Sequence, residues 1–185
     1  MHCIFGLGNP GAEYEKTRHN VGFRAIDYLA AAHSIAFTRS RFRAVFGKGE
    51  IARQPALLVK PQTFMNDSGD AVRRVAMFYK VTGEELLIIL DDMDLELGQI
   101  RLRPSGGDNG HKCLRSVIAH AGTEAVPRLR LGIGRPAPGQ EAHDYVLGEF
   151  RPHEREKADE MIHNAAQAVE YMLSYGFEAA MNRYN

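Results

Sequence analysis

The sequence predicts an α/β protein: one domain over residues 1–185, built as a sandwich in which helices flank a central mixed β-sheet. Short apolar runs alternate with amphipathic segments, a pattern typical of a sheet covered by helices. The chain is 44% apolar and 25% charged, so its composition is ordinary for a globular domain with one sizeable core. No repeat, low-complexity tract or linker divides it.

Each predicted element rests on periodicity and on the residues that end it. Apolar runs or alternation predict strands at 3–7, 42–51, 56–59, 86–90, 99–103 and 129–133. Helical spacing predicts helices at 21–32, 111–121 and 152–175. A fourth helix is predicted to end at 79 and to begin at a cap that is one of the residues 66–68. The run 86–90 is apolar throughout, which predicts a central strand that is buried on both faces and ends at Asp91. The Gly-rich loop 104–110 is expected to be mobile, and a further helical turn can follow Gly176.

Composition also excludes some classes of protein. The longest apolar runs are far shorter than the ~20 residues of a membrane-spanning helix, and the N-terminal residues do not resemble a secretion signal. Two cysteines, Cys3 and Cys113, are too few for a disulfide framework. We therefore expect both to be reduced thiols in a cytoplasmic protein.

Charge is unevenly distributed although the formal net charge is zero. Residues 98–135 carry seven basic side chains against two acidic ones, and over 141–160 the balance reverses to seven acidic against three basic. Such a concentration suits a phosphate-binding face. Alternating arginines on a strand also occur on a merely solvated sheet face, so the charge pattern alone leaves both interpretations open.

Polar residues cluster where the first strand ends. Asn9, Tyr14, Arg18, His19 and Asn20 follow it directly, and open α/β sheets place their ligand sites at this end of a strand. Histidine suits the role of general base because its unperturbed pKa is near neutral. The sequence therefore makes His19 the first candidate for a catalytic base, although an isolated histidine after a polar loop is often a surface residue.

Residues 6–11 match the pattern G-x-G-x-x-G of dinucleotide-binding proteins. That fingerprint requires a helix to begin at the third glycine and an acidic residue about 20 positions further on. Residues 28–37 contain no Asp or Glu, and the chain stays polar up to His19. A tight turn accounts for the glycines whatever the function. Because the helix and the acidic residue are missing, a dinucleotide-dependent oxidoreductase ranks third among the candidate functions.

Five segments together resemble the bacterial peptidyl-tRNA hydrolase family. They occur in the order and spacing of that family over nearly the whole chain. The segments are G-L-G-N-P-G-A-E-Y-E-K-T-R-H-N-V-G at 6–22, K-P-Q-T-F-M-N-D-S-G at 60–69, L-D-D-M-D-L at 90–95, R-L-R-L-G-I-G-R-P at 128–136 and D-Y-V-L-G at 144–148.

The resemblance implies an enzyme that cleaves the ester between peptide and tRNA, recycling tRNA from aborted translation. It implies His19 as the base that activates water and Asp91 as the carboxylate that orients it, with no metal or other cofactor. Asp94 is an alternative partner, and the grouping of Asp91, Asp92 and Asp94 also permits a Mg²⁺ site. The partner implied is peptidyl-tRNA, with no membrane, no obligate protein partner and a monomeric state.

The resemblance also implies a set of substrate contacts. Asn9 and Asn66 match asparagines that hold the substrate, although Asn66 can equally be a helix cap. Met65 matches a residue of the cleft but can equally be an ordinary core methionine. Tyr14 is a candidate either to stack on the terminal base or to close the wall of the cleft. Arg103 and Arg130 match basic positions that hold a tRNA phosphate.

The chain departs from the family pattern after the loop. The family reads G-G-H-N-G-L, and its Asn helps to place the water; here Lys112 follows His111, and Asn109 is three residues earlier. Either Asn109 replaces that Asn, or Lys112 acts as a donor or phosphate ligand, or activity is reduced. Leu90 also stands where His is common. Lys112 is the one feature that supports the second candidate function, a non-catalytic RNA-binding relative of the same fold.

Overall fold

A computed structural model describes residues 1–64 and 67–185 of the chain. Within these ranges seven strands form one mixed sheet. The strands are β1 His2–Gly6, β2 Arg39–Arg41, β3 Ala44–Ile51, β4 Gln54–Pro61, β5 Leu86–Asp92, β6 Ile100–Arg103 and β7 Arg128–Gly132. The helices are α1 Val21–Ala32, α2 Ser68–Tyr79, α3 Lys112–Ala121, α4 Ala142–Leu147, α5 Pro152–Tyr175 and α6 Phe177–Tyr184.

The strand order is β2-β3-β4-β1-β5-β7-β6. The inner strands β4, β1, β5 and β7 are parallel, whereas β2, β3 and β6 pair antiparallel at the two edges. The predicted α/β sandwich with a mixed central sheet is confirmed. Because the parallel strands β1 and β5 are neighbours, their carboxyl ends meet at one edge of the sheet.

Alternation along the inner strands directs side chains into two cores. Ile4 and Ile89 face a core formed with α1, α5 and α6. Phe5, Ile88 and Leu90 face a second core formed with α2 and α3. The inner strands are therefore buried on both faces, as the apolar run of β5 predicts.

Helix α1 lies unusually close to the sheet. A Cβ atom at Gly22 would come within 2.5 Å of the carbonyl oxygen of Leu7 and 2.6 Å of that of Ile89. Glycine alone allows this approach. The start of α1, and the turn that precedes it, are thereby held against the carboxyl ends of β1 and β5.

Two elements were not predicted, and two strands extend beyond their predicted ends, β4 to Pro61 and β5 to Asp92. β2 is exposed and contains two arginines, and it joins β3 through Phe42 and Arg43, both at positive φ, instead of the usual Asn and Gly. α4 has six residues in an acidic stretch and lacks a clear apolar period. β4 continues to Pro61, which pairs with Ala44, whereas a stop at Lys60-Pro61 was expected.

None of the helices in the described ranges has the length and apolarity needed to cross a membrane.

Candidate active site

His19 lies in a short 3₁₀ turn, Arg18–Asn20, immediately before α1. All three side chains of this turn are buried, although each is polar. Buried polar groups are costly unless they are hydrogen-bonded, so each requires partners from other parts of the fold.

Arg18 anchors the first position of the turn. Its guanidinium donates to Glu154 at 2.8 Å, and it lies over the ring of Tyr145, 4.4 Å from the centroid. Its backbone N–H donates to the carbonyl of Gly148 at 2.9 Å. Contacts to α4 and α5 therefore fix the backbone from which His19 projects.

Asn20 anchors the other side of His19. Its amide oxygen accepts from the backbone N–H of Asn9 at 2.9 Å, and its amide nitrogen donates to the Asn9 carbonyl at 2.9 Å. This pair of bonds holds the loop after β1 against the turn. The side chain of Asn9 is itself buried, and its Oδ1 has no hydrogen-bond partner among the described residues.

The turn brings His19 into contact with Asp91, 72 positions later in the chain. Nδ1 of His19 lies 2.9 Å from Oδ1 of Asp91, and both side chains are about 96–97% buried. Since the N–H at Nδ1 donates to the carboxylate, Nε2 is the nitrogen that can accept a proton. This is the arrangement of a general base with an orienting carboxylate.

A second histidine shares the same carboxylate oxygen. Nε2 of His111 lies 2.8 Å from Oδ1 of Asp91, and the rings of His19 and His111 are stacked with centroids 5.4 Å apart. His111 is also the N-cap of α3, where its Nδ1 accepts the backbone N–H of Leu114. The proton of this ring is therefore on Nε2, which donates to Asp91.

This cluster determines the proton affinity of both partners. Burial alone lowers the pKa of His19, but the charge and hydrogen bond of Asp91 outweigh burial and raise the pKa well above its usual 6.5. Burial alone raises the pKa of Asp91, but the two imidazoles outweigh it and hold that pKa below its usual range. Asp91 is thus a carboxylate at neutral pH.

Nε2 of His19 faces a thiol. Sγ of Cys113, the second residue of α3, lies 3.7 Å from Nε2. Cys113 and Cys3 are both fully buried free thiols. The thiol therefore occupies one side of Nε2, and His19 itself lines the cavity described below.

Three possible metal ligands converge here, His19, Asp91 and His111, with ligand atoms within 4.8 Å of one another. Their hydrogen bonds favour a different role. To bind a metal through Nε2, His111 would have to carry its proton on Nδ1, against the N–H of Leu114. The other carboxylates do not converge either, since Asp92 pairs with Arg130 and Asp94 with Arg135.

A cavity of about 600 Å³ opens beside the cluster. His19, Asp91 and His111 line it together with four predicted site residues: Arg103, Asn109, Lys112 and Arg130. Lys112 and Arg103 are exposed, and among the described residues no carboxylate pairs with either. Asn109 is exposed as well and adopts φ 48° in the loop. The structure thus places both candidates for the missing asparagine at the same cavity.

Most other basic residues of the 98–135 segment have internal partners. Arg130 contacts Asp92, and Arg115 contacts Asp108. Arg128 is buried and donates to the carbonyls of Gly106 and Gly107, and so fastens the loop that was expected to be mobile. Only part of the predicted phosphate-binding face is therefore available to an anion.

Asn9 and Tyr14 lie apart from this cavity. Asn9 lines a second cavity of about 910 Å³ together with Asn20, Phe23 and Lys60. Tyr14 is half-buried in a 3₁₀ turn and lines neither cavity. Two further predicted contacts, Met65 and Asn66, fall outside the residues that the structure describes.

The glycine pattern at 6–11 does not form a dinucleotide site. A 3₁₀ turn, Ala12–Tyr14, follows Gly11, and α1 begins only at Val21. No long helix therefore presents its N-terminus to a pyrophosphate at the third glycine.

The family model for peptidyl-tRNA hydrolase matches residues 3–185. The chain belongs to the peptidyl-tRNA hydrolase family. Two relatives named peptidyl-tRNA hydrolase come from Carboxydothermus hydrogenoformans, 48% identical over 100% of this chain and 98% of the relative, and Exiguobacterium sibiricum, 46% identical over 100% of both.

A solved structure agrees with this assignment. The crystal structure of peptidyl-tRNA hydrolase from Acinetobacter baumannii has a TM-score of 0.93 to this chain at 37% identity. The similarity covers 100% of this chain and 94% of that one. The whole of this chain therefore shares the peptidyl-tRNA hydrolase fold.

Within this peptidyl-tRNA hydrolase fold, sequence reasoning missed three residues of the site. It did not predict the hydrogen bonds of His111 to Asp91, of Arg128 to the loop carbonyls or of Asn20 to the backbone of Asn9. A histidine just before a predicted helix signals an N-cap, which could have drawn attention to His111. The contacts of Arg128 and Asn20 depend on tertiary structure and have no local signal.

We predict different effects of two substitutions on the pKa of His19. Asp91→Asn removes the negative charge but leaves the burial, so the pKa of His19 should fall to 6.5 or below. His111→Ala removes a competing donor from Asp91, so the pKa should stay raised or rise further. NMR titration of the imidazole resonances measures both values, and a pKa that remains raised in Asp91→Asn would contradict the assignment.

Proposed function

We propose that the protein hydrolyses the ester between peptide and tRNA in peptidyl-tRNA, with His19 as general base and Asp91 as its orienting carboxylate. Membership of the peptidyl-tRNA hydrolase family supports the reaction. The observation that carries the mechanism is the 2.9 Å contact between Nδ1 of His19 and Asp91 in a buried setting.

The chemistry follows from that contact. An ester needs an activated water, a donor for the oxyanion and correct placement of the reacting atoms. Nε2 of His19 takes a proton from a water in the cavity as the water attacks the carbonyl carbon. Asp91 stabilises the imidazolium that forms. The imidazolium then returns the proton to the ribose oxygen as the ester C–O bond breaks.

Lys112 is a candidate to stabilise developing negative charge. It is exposed at the cavity that His19 and Asp91 line, at the position where the family carries an asparagine. An ammonium group donates hydrogen bonds but accepts none, so it can bind the oxyanion or a phosphate but cannot orient water by accepting from it. Asn109, at the same cavity, has the amide that can accept.

Arg103 is the first candidate for binding a phosphate of the tRNA. Its guanidinium is exposed at the cavity, and a guanidinium matches the geometry of a phosphate. Arg130 also lines the cavity, but its contact with Asp92 neutralises part of its charge. Asn9, with a buried unpartnered Oδ1, is proposed as a contact for substrate entering by the second cavity, and Asn66, Met65 and Tyr14 remain candidates from the resemblance.

We also propose that residues 1–185 act as one domain, as a monomer in the cytoplasm and without an obligate protein partner. The two cores on opposite faces of one sheet support the single domain, since elements from both ends of the chain contribute to them.

The reaction itself provides the first test. The wild type should release peptide from N-blocked aminoacyl-tRNA, and His19→Ala should lower kcat by about 10²–10⁴-fold, the usual contribution of a general base. His33→Ala is a matched control, since His33 also contacts a carboxylate, that of Glu170 at 2.8 Å, and lines neither cavity. RNA binding by a wild type that does not turn over would instead support the non-catalytic relative.

Substitution of Lys112 tests how the chain compensates for its altered motif. Lys112→Ala should lower kcat/KM by about tenfold or more, because one donor for negative charge is lost. Lys112→Asn should retain activity at or above the wild-type level, since it restores the amide of the family. An unchanged kcat/KM in Lys112→Ala would show that Lys112 has no part in the reaction.

A further inference from the structure

An exposed patch of arginine and aromatic side chains lies at the edge of the sheet opposite to the cavity. It comprises Arg39, Arg41 and Phe42 of the β2–β3 hairpin and Arg73, Met77 and Phe78 of α2. We call it the arginine–aromatic patch. Met77 is 65% exposed and Phe78 is 52% exposed, which is unusual for large apolar side chains.

The patch is organised by stacking. The guanidinium of Arg41 lies over Phe42, 4.6 Å from the ring centroid, and over Phe78 at 5.2 Å. The rings of Phe42 and Phe78 are 5.1 Å apart, and Arg39 donates to the hydroxyl of Tyr79 at 3.0 Å. The aromatic surface and the cationic groups are therefore interleaved and held in place.

This region carries more positive charges than its carboxylates neutralise. Arg43 and Arg74 pair with Asp67 and Asp70. Among the described residues no carboxylate pairs with four other cations, which are Arg39, Arg41, Arg73 and Lys80. An apolar protein partner would leave these charges desolvated without a counter-ion, whereas a polyanion would neutralise them.

Position links the patch to the candidate active site. α2 packs against α3 on one face of the sheet, with the backbone N–H of Gly69 donating to Ser116 at 3.1 Å. His111 caps α3 and Lys112 is its first residue, so the patch shares a face with them. The strand β2 of the patch is separated from β7, beside the cavity, by five strand spacings. At about 4.8 Å each, these spacings amount to roughly 24 Å across the sheet.

We propose that the arginine–aromatic patch is a second contact surface for the tRNA, binding RNA remote from the scissile ester. This inference rests on the proposed function. Arginines bind phosphates, and bases stack on exposed aromatic rings without requiring a particular sequence. A nucleic acid duplex that rises roughly 3 Å per base pair bridges the distance between patch and cavity in about eight base pairs.

Two substrates distinguish this surface from the active site. One is an N-blocked aminoacyl-tRNA, and the other is the same ester on the 3′-terminal trinucleotide, which is too short to reach the patch. Arg41→Glu should raise KM for the tRNA by about tenfold and weaken its salt dependence, with KM for the trinucleotide ester unchanged. Phe78→Ala should change KM in the same direction through lost stacking.

Arg183→Glu is the matched control, because Arg183 also stacks on an aromatic ring, 4.6 Å from the centroid of Tyr171, but on α6. It should leave both KM values unchanged, and melting temperatures should show that all variants are folded. If the Arg41→Glu variant had the same KM for tRNA as the wild type, the proposal would be overturned. The patch would then be a candidate site for an acidic protein partner. An equal loss on both substrates would overturn the proposal as well.

The two proposals can fail separately. If the wild type hydrolysed neither substrate, the hydrolase mechanism would fall, but binding of deacylated tRNA would still test the patch. Tighter binding by wild type than by Arg41→Glu supports the patch, and equal binding overturns it.

Discussion

The site depends on one carboxylate oxygen. Oδ1 of Asp91 accepts hydrogen bonds from His19 and His111, which come from segments 72 and 20 positions away along the chain. The parallel pairing of β1 with β5 makes this possible, because it brings the loop after β1 to the end of β5. α3 starts at the same edge, so that its N-cap histidine completes the cluster.

Burial with compensating partners determines the chemistry of the cluster. A buried carboxylate is costly unless charged or hydrogen-bonding partners compensate, and the two imidazoles provide that compensation. The same carboxylate keeps His19 in the tautomer that leaves Nε2 as acceptor. Neighbouring anchors, Arg18 to Glu154 and Asn20 to Asn9, fix the backbone on either side, so little reorganisation is needed when a proton moves.

Periodicity predicted much of the fold. The bounds of α1 and α5 agree with the predicted ranges, since both helices have a long apolar face and clear ends. β2 and α4 escaped prediction because neither has an apolar period: β2 is held by pairing with β3, and α4 has six residues that include Tyr145, which packs against Arg18. Their existence depends on tertiary contacts.

Prediction of the site had a similar limit. The resemblance to the family implied His19 and Asp91 as a pair, and the fold brings them into contact, but nothing in the sequence indicated that His111 binds the same oxygen. Charge counting overestimated the free basic face, because it could not distinguish Arg128, which holds loop carbonyls, from Arg103, which is exposed. Local sequence shows which charges are present but not which of them are already paired.

We propose that a buried imidazole with a raised pKa acts as the general base. The most direct measurement is the pH dependence of the single-turnover rate on N-blocked aminoacyl-tRNA with enzyme in excess. Since the base must be unprotonated, the account predicts a rate that rises with pH through neutrality, with a midpoint above the usual 6.5 of histidine. A rate that is independent of pH, or one whose midpoint lies below 6.5, would contradict it.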